Sequence, residues 1–245
     1  MIRLATEAGW LVVTQPAHAF LSACLAGHWA GTADFPRPQP WTDVLVGIAQ
    51  HDIGWTEWEA RPQITPEGVP RQFTELSLDD HLAIWRRGVE WALRQHPLLA
   101  FLVSRHATTL YAPRREEDER VAAFLAEQRR LQAHLGRILD VPPGALDDAY
   151  RLLRLMDWLS LALCLERYRD GPVELGAGPG RVPLTLASAA GGRLTVTPWP
   201  FDVERFTVEV PARQLQQRTF EDDADLQRAL RRAPLTWRRW ELVRG

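Results

Sequence analysis

Apolar residues recur at helical spacing through the first two thirds of the chain and at alternate positions in the last third, which predicts helices followed by strands. Thr14-Gln15-Pro16 reads as a helix start with proline in its first turn, and the periodic run that follows reaches Trp29 and stops at Gly31. A proline-rich loop precedes a second helix over residues 44–50, which leads into His51-Asp52 and ends near Gly54. Residues 55–76 hold three prolines, Trp55, Trp58 and Phe73 without periodicity, so they read as a long functional loop. Ser77 caps a helix running to Gln95, with Asp79 and Asp80 favourably placed in its first turn. Pro97 starts a fourth helix, residues 116–139 a charged outer fifth, and Pro142-Pro143-Gly144 precedes a sixth over 145–168 that is apolar almost all round.

Beyond Gly171 the alternation changes to the strand period over 182–187, 193–197 and 205–210, with Gly191-Gly192 as a hairpin turn and Gly176 to Gly180 read as a turn. A short helix over 226–232 and a strand over 236–243 complete the pattern. The fold expected is mainly α: a helical bundle over residues 1–170 with a small β-rich subdomain over 171–245 packed on it.

Length and composition narrow the chemistry. The 245 residues, 46% apolar and 24% charged, suffice for one sizeable core. All 29 basic residues are arginine, and neither lysine nor asparagine occurs. Schiff-base catalysis, the P-loop and the protein kinase site are thereby excluded, because each needs a lysine. Arginine is a poor proton carrier at neutral pH, so acid–base work falls to His, Asp, Glu, Tyr, Cys or a metal-bound water. A net charge of −2 gives no footing for nucleic acid, and the arginines of residues 226–245 read as a solvated face. The two cysteines, Cys24 and Cys164, lie in apolar helical patterns and suit reduced thiols. Without an apolar stretch of membrane length or a leader-like start, a cytoplasmic protein with no membrane partner is expected.

Candidate chemistry centres on histidine. A His-Asp doublet on a helix projects its side chains about 100° apart, so both can reach one ion. Imidazole with carboxylate suits Zn, Fe, Mn or Co rather than calcium. His18 lies on the preceding helix, and Asp157 sits in the most apolar helix, where a bare carboxylate is costly and a metal relieves that cost. His28 and Cys24, one turn apart, read as core-facing rather than as a nucleophile pair. Gln15 and Arg105 flank ligand candidates; Arg105 either forks onto a phosphate or carboxylate or is an ordinary ion-pair partner. Trp55, Trp58 and Phe73 either wall a pocket over the metal or plug the core beneath their loop.

The order His18, His51-Asp52, Asp157 resembles the H…HD…D signature of the HD superfamily of helical metal-dependent phosphohydrolases. His81 and His106 resemble the two further histidines of its binuclear members. The segments QPAHAFLSACLAGHW, AQHDIGWTEWEARP, FLVSRHATTLYAP and LLRLMDWLSLALC are similar to an uncharacterised bacterial family, the domain of unknown function numbered 3891. The superfamily resemblance implies one or two divalent transition-metal ions (Fe, Mn, Zn or Co) on His18, His51, Asp52, His81, His106 and Asp157, with Asp52 bridging. It also implies hydrolysis of a small phosphorylated or anionic substrate by metal-activated water. Asp52, Arg105 and Gln15 are the catalytic candidates. Two alternatives stay open: a di-iron oxygenase, as in the inositol-oxygenase and phosphonate-cleaving relatives, and a non-catalytic metal-containing sensor or scaffold. Where many related hydrolases carry lysine after His-Asp-Ile-Gly, this chain carries Trp55, which argues against copying their substrate.

Overall fold

The computed structural model describes residues 1–142 and 144–245; Pro143, part of the break expected before the sixth helix, lies outside the described residues. Helices account for about 50% of the chain and strands for 21%. The strands form one seven-stranded mixed sheet curled into a half-barrel, which overturns the expectation of a mainly α, HD-like bundle with a small β appendage.

The sheet draws on both ends of the chain. β1 (Ile2–Thr6) and β2 (Gly9–Val13) form a hairpin ahead of all the helices, and β3 (Val173–Ala177), β4 (Pro183–Ala189), β5 (Arg193–Thr197), β6 (Arg205–Leu215) and β7 (Leu235–Val243) follow them. Their spatial order is β1-β2-β6-β7-β5-β4-β3, antiparallel except for β5 with β7. β2 pairs with the end of β6, so residues some two hundred apart in sequence become neighbours. Gly9 is obligatory at this junction: its φ is +147°, and a Cβ there would lie 2.4 Å from the Leu215 carbonyl oxygen. β3 contains a register shift between Glu174 and Gly176, so the start of the glycine-rich stretch read as a turn belongs to an irregular edge strand, while Gly178 to Arg181 does turn, the Arg181 N–H donating to the Gly178 carbonyl at 3.1 Å.

The helices are α1 (Gln15–Gly27), α2 (Trp41–Ala49), a single turn α3 (Thr56–Glu59), α4 (Leu78–Leu93), α5 (Pro97–Tyr111), α6 (Glu119–Ile138), α7 (Ala145–Cys164) and α8 (Asp223–Arg232). Their starts follow the sequence signals. The Thr14 hydroxyl accepts from the Ala17 N–H, and the Ser77 hydroxyl from that of Asp80, each satisfying an orphan donor. α7 packs against α1, α2, α5 and β3, consistent with its apolar circumference.

One face of β6 alternates Phe206, Val208, Val210 and Ala212 inward and shares a core with α1 and α7; burying each large side chain contributes roughly 2 kcal/mol. Adjacent residues of β2 serve different cores. Val13 joins the main one, and Val12 joins Met1, Leu215, Phe220 and Leu226 beneath α8.

Close backbone approach fixes the chain after the His-Asp doublet. Gly54, in the 3₁₀ turn Ile53–Trp55, lies against Ile84 and Gly88 of α4, and a Cβ on it would sit 2.2 Å from the Ile84 carbonyl oxygen. That atom is backbone and cannot move aside cheaply. Gly54→Ala is expected to cost roughly 3 kcal/mol, a drop of about 6–12 °C in melting temperature by circular dichroism.

Candidate metal centre

The His-Asp doublet sits just past the C-terminus of α2, where the helix runs into the 3₁₀ turn, rather than on the helix itself. His18 reaches it from the second turn of α1, Asp157 from the middle of α7 and His106 from α5. All five side chains are buried, and His51 is fully enclosed.

Hydrogen bonds aim the two central imidazoles. His51 Nδ1 lies 2.8 Å from the Ile48 carbonyl oxygen, which only accepts, so the Nδ1–H is fixed there and in the neutral ring Nε2 carries the lone pair. Ser160 directs its hydroxyl proton to the Asp157 carbonyl at 3.1 Å, and its oxygen accepts the His18 Nδ1–H at 2.5 Å. Ser22 reinforces this arrangement, its hydroxyl 2.8 Å from that of Ser160. Both Nε2 atoms therefore face the carboxylates. Each lies 3.4 Å from Asp157 Oδ1, and Asp52 Oδ2 is 3.2 Å from His18 Nε2 and 3.6 Å from His51 Nε2.

His51 Nε2 and His106 Nδ1 are buried without a hydrogen-bond partner. The donor atoms of His18, His51 and Asp157 all lie within 4.8 Å of one another and could hold a metal ion. Two buried carboxylates facing neutral imidazoles call for a cation, either a proton or a metal. The titration behaviour follows that charge balance. Burial opposes charging of His51, but the negative charges of Asp52 and Asp157 outweigh it and push the imidazole up to about 9. Burial likewise works against ionising Asp52 and Asp157, yet the surrounding histidines hold both below the usual carboxylate range. His106, 3.7 Å from Asp157, is pushed down to about 4, first by burial and then by the charge of His51.

The remaining sequence candidates occupy different surroundings. His81 has both ring nitrogens engaged: Nε2–H donates to the Phe73 carbonyl at 2.7 Å, and Nδ1 accepts from the Tyr111 hydroxyl at 2.5 Å. It ties the 55–76 loop to α5 instead of joining the cluster. If that contact set is its role, His81→Gln keeps the metal content per chain unchanged by elemental analysis while lowering the melting temperature by a few degrees. Loss of one metal per chain would instead place His81 among the ligands. Arg105 pairs with Asp147 at 3.4 Å and lines a separate surface cavity with Tyr150 and Arg154. Gln15 lines the cavity over the cluster, its side-chain oxygen buried and unpartnered. His28 stacks on Phe206 with ring centroids 4.1 Å apart, in keeping with a packing role, and both cysteines are free.

That cavity, about 360 Å³, has His18, Asp52, His106 and Asp157 in its lining, with Trp55 and Phe73 of the long loop among its walls. Trp58 stands behind Trp55, edge-on at 5.9 Å, and faces elsewhere. Arg114 brings a guanidinium to the lining. Ser22, Ser160 and Arg114 escaped the sequence reading. The serines follow His18 by four residues and Asp157 by three, the helical spacing at which neighbours touch, and that spacing was the available signal.

Fold and cluster together define an α+β protein with a buried His/Asp centre at the floor of an aromatic cavity. The family model described as Protein of unknown function (DUF3891) matches residues 1–217, and the chain belongs to that family. No curated protein and no solved structure matches it. Among the described residues no helix is long and apolar enough to cross a membrane.

Proposed function

We propose that this protein is a metal-dependent hydrolase that turns a metal-activated water on a small phosphorylated or otherwise anionic substrate. The observation that carries the reading is the pair of buried Nε2 atoms of His18 and His51, aimed by their Nδ1 hydrogen bonds toward Asp157 at the floor of the cavity. The chain order His18, His51-Asp52, Asp157, like that of HD hydrolases, supports the same chemistry.

His18, His51 and Asp157 would hold the ion, and Fe, Mn, Zn and Co all suit two imidazoles and a carboxylate. Once bound, such an ion acidifies a coordinated water and stabilises charge building on a phosphoryl oxygen. Asp52, in the cavity lining with its carboxylate ionised, accepts the proton of the attacking water. The water oxygen forms the new bond to phosphorus, the ester P–O bond breaks, and the proton passes from Asp52 to the departing oxygen. One water is consumed, and phosphate and an alcohol result. Arg114 supplies the lining with positive charge for the anion, the part expected of Arg105 from sequence. The three-donor cluster accounts for one ion; a second on His81 would require that ring to leave Tyr111 and Phe73.

Anaerobic purification followed by elemental analysis and turnover of 4-nitrophenyl phosphate tests this. Zinc, manganese or cobalt with phosphatase turnover is the expected result. Two irons with substrate-dependent oxygen uptake would overturn it in favour of an oxygenase. A sensor or scaffold would be indicated if His51→Ala lost metal yet kept full biological activity.

A further inference from the structure

We propose that the substrate is an amphiphile, an anionic ester whose body is aromatic or branched apolar, and that hydroxyl-rich esters such as sugar or polyol phosphates are rejected. The inference rests on the hydrolase reading of the same site and adds to it the class of molecule that fits.

The argument is an inventory of what the cavity wall can bond. Above the His/Asp floor its surface comes largely from Trp55, Phe73, Trp85, Leu110 and Leu161, whose rings and alkyl groups bond no hydroxyl; the Trp55 indole N–H is the one buried donor among them without a partner. The polar wall groups are few, and two of them are committed to each other. His81 has no free nitrogen, since one donates to the Phe73 carbonyl and the other accepts from Tyr111. Tyr111 has given its only proton to that bond and can do no more than accept. Gln15, Thr74 and the Trp55 indole N–H remain as uncharged polar groups, and Arg114, 3.7 Å from Glu117, is the one arginine of the wall among the described residues.

A polyol seated here would leave most of its hydroxyls stripped of water and unpaired, and each such group costs binding free energy. A ring or branched alkyl group instead gains by leaving water, and flat aromatic walls reward a flat ligand. The cavity volume lies at the lower end of the range of small-molecule sites, which limits the body to about one or two rings. The position after the His-Asp-Ile-Gly turn contributes directly: Trp55 is 2% exposed and packs edge-on to both Phe73 and His81, so an aromatic wall stands there.

The test is calorimetric titration of the metal-loaded protein with three hydrolysis-proof probes: phenylphosphonate, 3,4-dihydroxybutylphosphonate and inorganic phosphate. Phenylphosphonate is expected to bind at least about tenfold more tightly than either of the others, with a negative heat-capacity change. Phe73→Ala is expected to remove about tenfold of that affinity while leaving inorganic phosphate unaffected. Equal or tighter binding of the dihydroxybutyl probe, or an equal loss for all three in Phe73→Ala, would overturn the amphiphile inference and leave the hydrolase standing. Tight, Phe73-dependent phenylphosphonate binding without turnover of any aryl phosphate would do the reverse. Failure of all three probes to bind would overturn both.

Discussion

Asp157→Asn is expected to lose the metal and on the order of a thousandfold of the hydrolytic rate while remaining folded. Three imidazoles converge on this carboxylate, His18 and His51 at 3.4 Å and His106 at 3.7 Å, so no other single side chain touches as much of the centre. The amide matches the carboxylate in shape but is a much weaker ligand, and it removes one of the three donors that could hold the ion. Folding should survive because the amide keeps the shape of the carboxylate, but the pairing with the histidines that holds Asp157 ionised is lost. In the metal-free state the melting temperature of the variant should therefore fall by roughly 6–20 °C relative to the parent. Elemental analysis, turnover of 4-nitrophenyl phosphate and a melt of the stripped proteins separate these effects. Retention of stoichiometric metal by Asp157→Asn would remove Asp157 from the ligand set.

Much of the helical half was legible because its signals are local. Thr14 and Ser77 announce their helices by chemistry within three residues, and the apolar circumference of α7 reads as a buried element from composition alone. The sheet was underestimated because part of it is not signalled locally. β1 and β2 are five residues each, and their hairpin joins the sheet only through the pairing of β2 with β6, at the other end of the chain. β3 was missed because Gly176, with φ +81°, reads as a turn, and it is there that the pairing with β4 shifts register. The site divides the same way. His18, His51, Asp52, His106 and Asp157 stood out by residue type within apolar surroundings, and they come together in space. The situations of His81 and Arg105 depend on the Phe73 carbonyl and on Asp147, partners that a linear reading cannot place.

Stripping the metal is expected to lower the melting temperature by roughly 10 °C near neutral pH, if the ion is present at about a thousand times its dissociation constant, and by more as the pH rises. The trend follows from who holds the cation in the cluster. Without metal, a proton on His51 neutralises part of the charge of Asp52 and Asp157, and its pKa stands at about 9 against an ordinary 6.5. A histidine raised on folding contributes stability that is fully present below 6.5 and is lost as the pH climbs through 9, so the stripped protein weakens over that window. On the acid side His106, pushed down to about 4, resists the proton that the unfolded chain accepts, so stability also falls from 6.5 toward 4. The carboxylates lose their contribution at still lower pH, since both are held below the ordinary range. The stripped protein should thus melt highest near pH 6.5. Metal binding displaces the His51 proton, so apparent affinity rises by about tenfold per pH unit until 9, and the loaded and stripped melting curves diverge on the alkaline side. Melts at half-unit steps, with and without chelator, read this directly, and titrations of metal in buffers of different ionisation enthalpy count the proton released. His51→Gln should flatten the alkaline slope of the stripped protein. A parent protein whose stripped form melts at the same temperature at pH 7 and pH 9 would show that His51 does not carry the displaced proton.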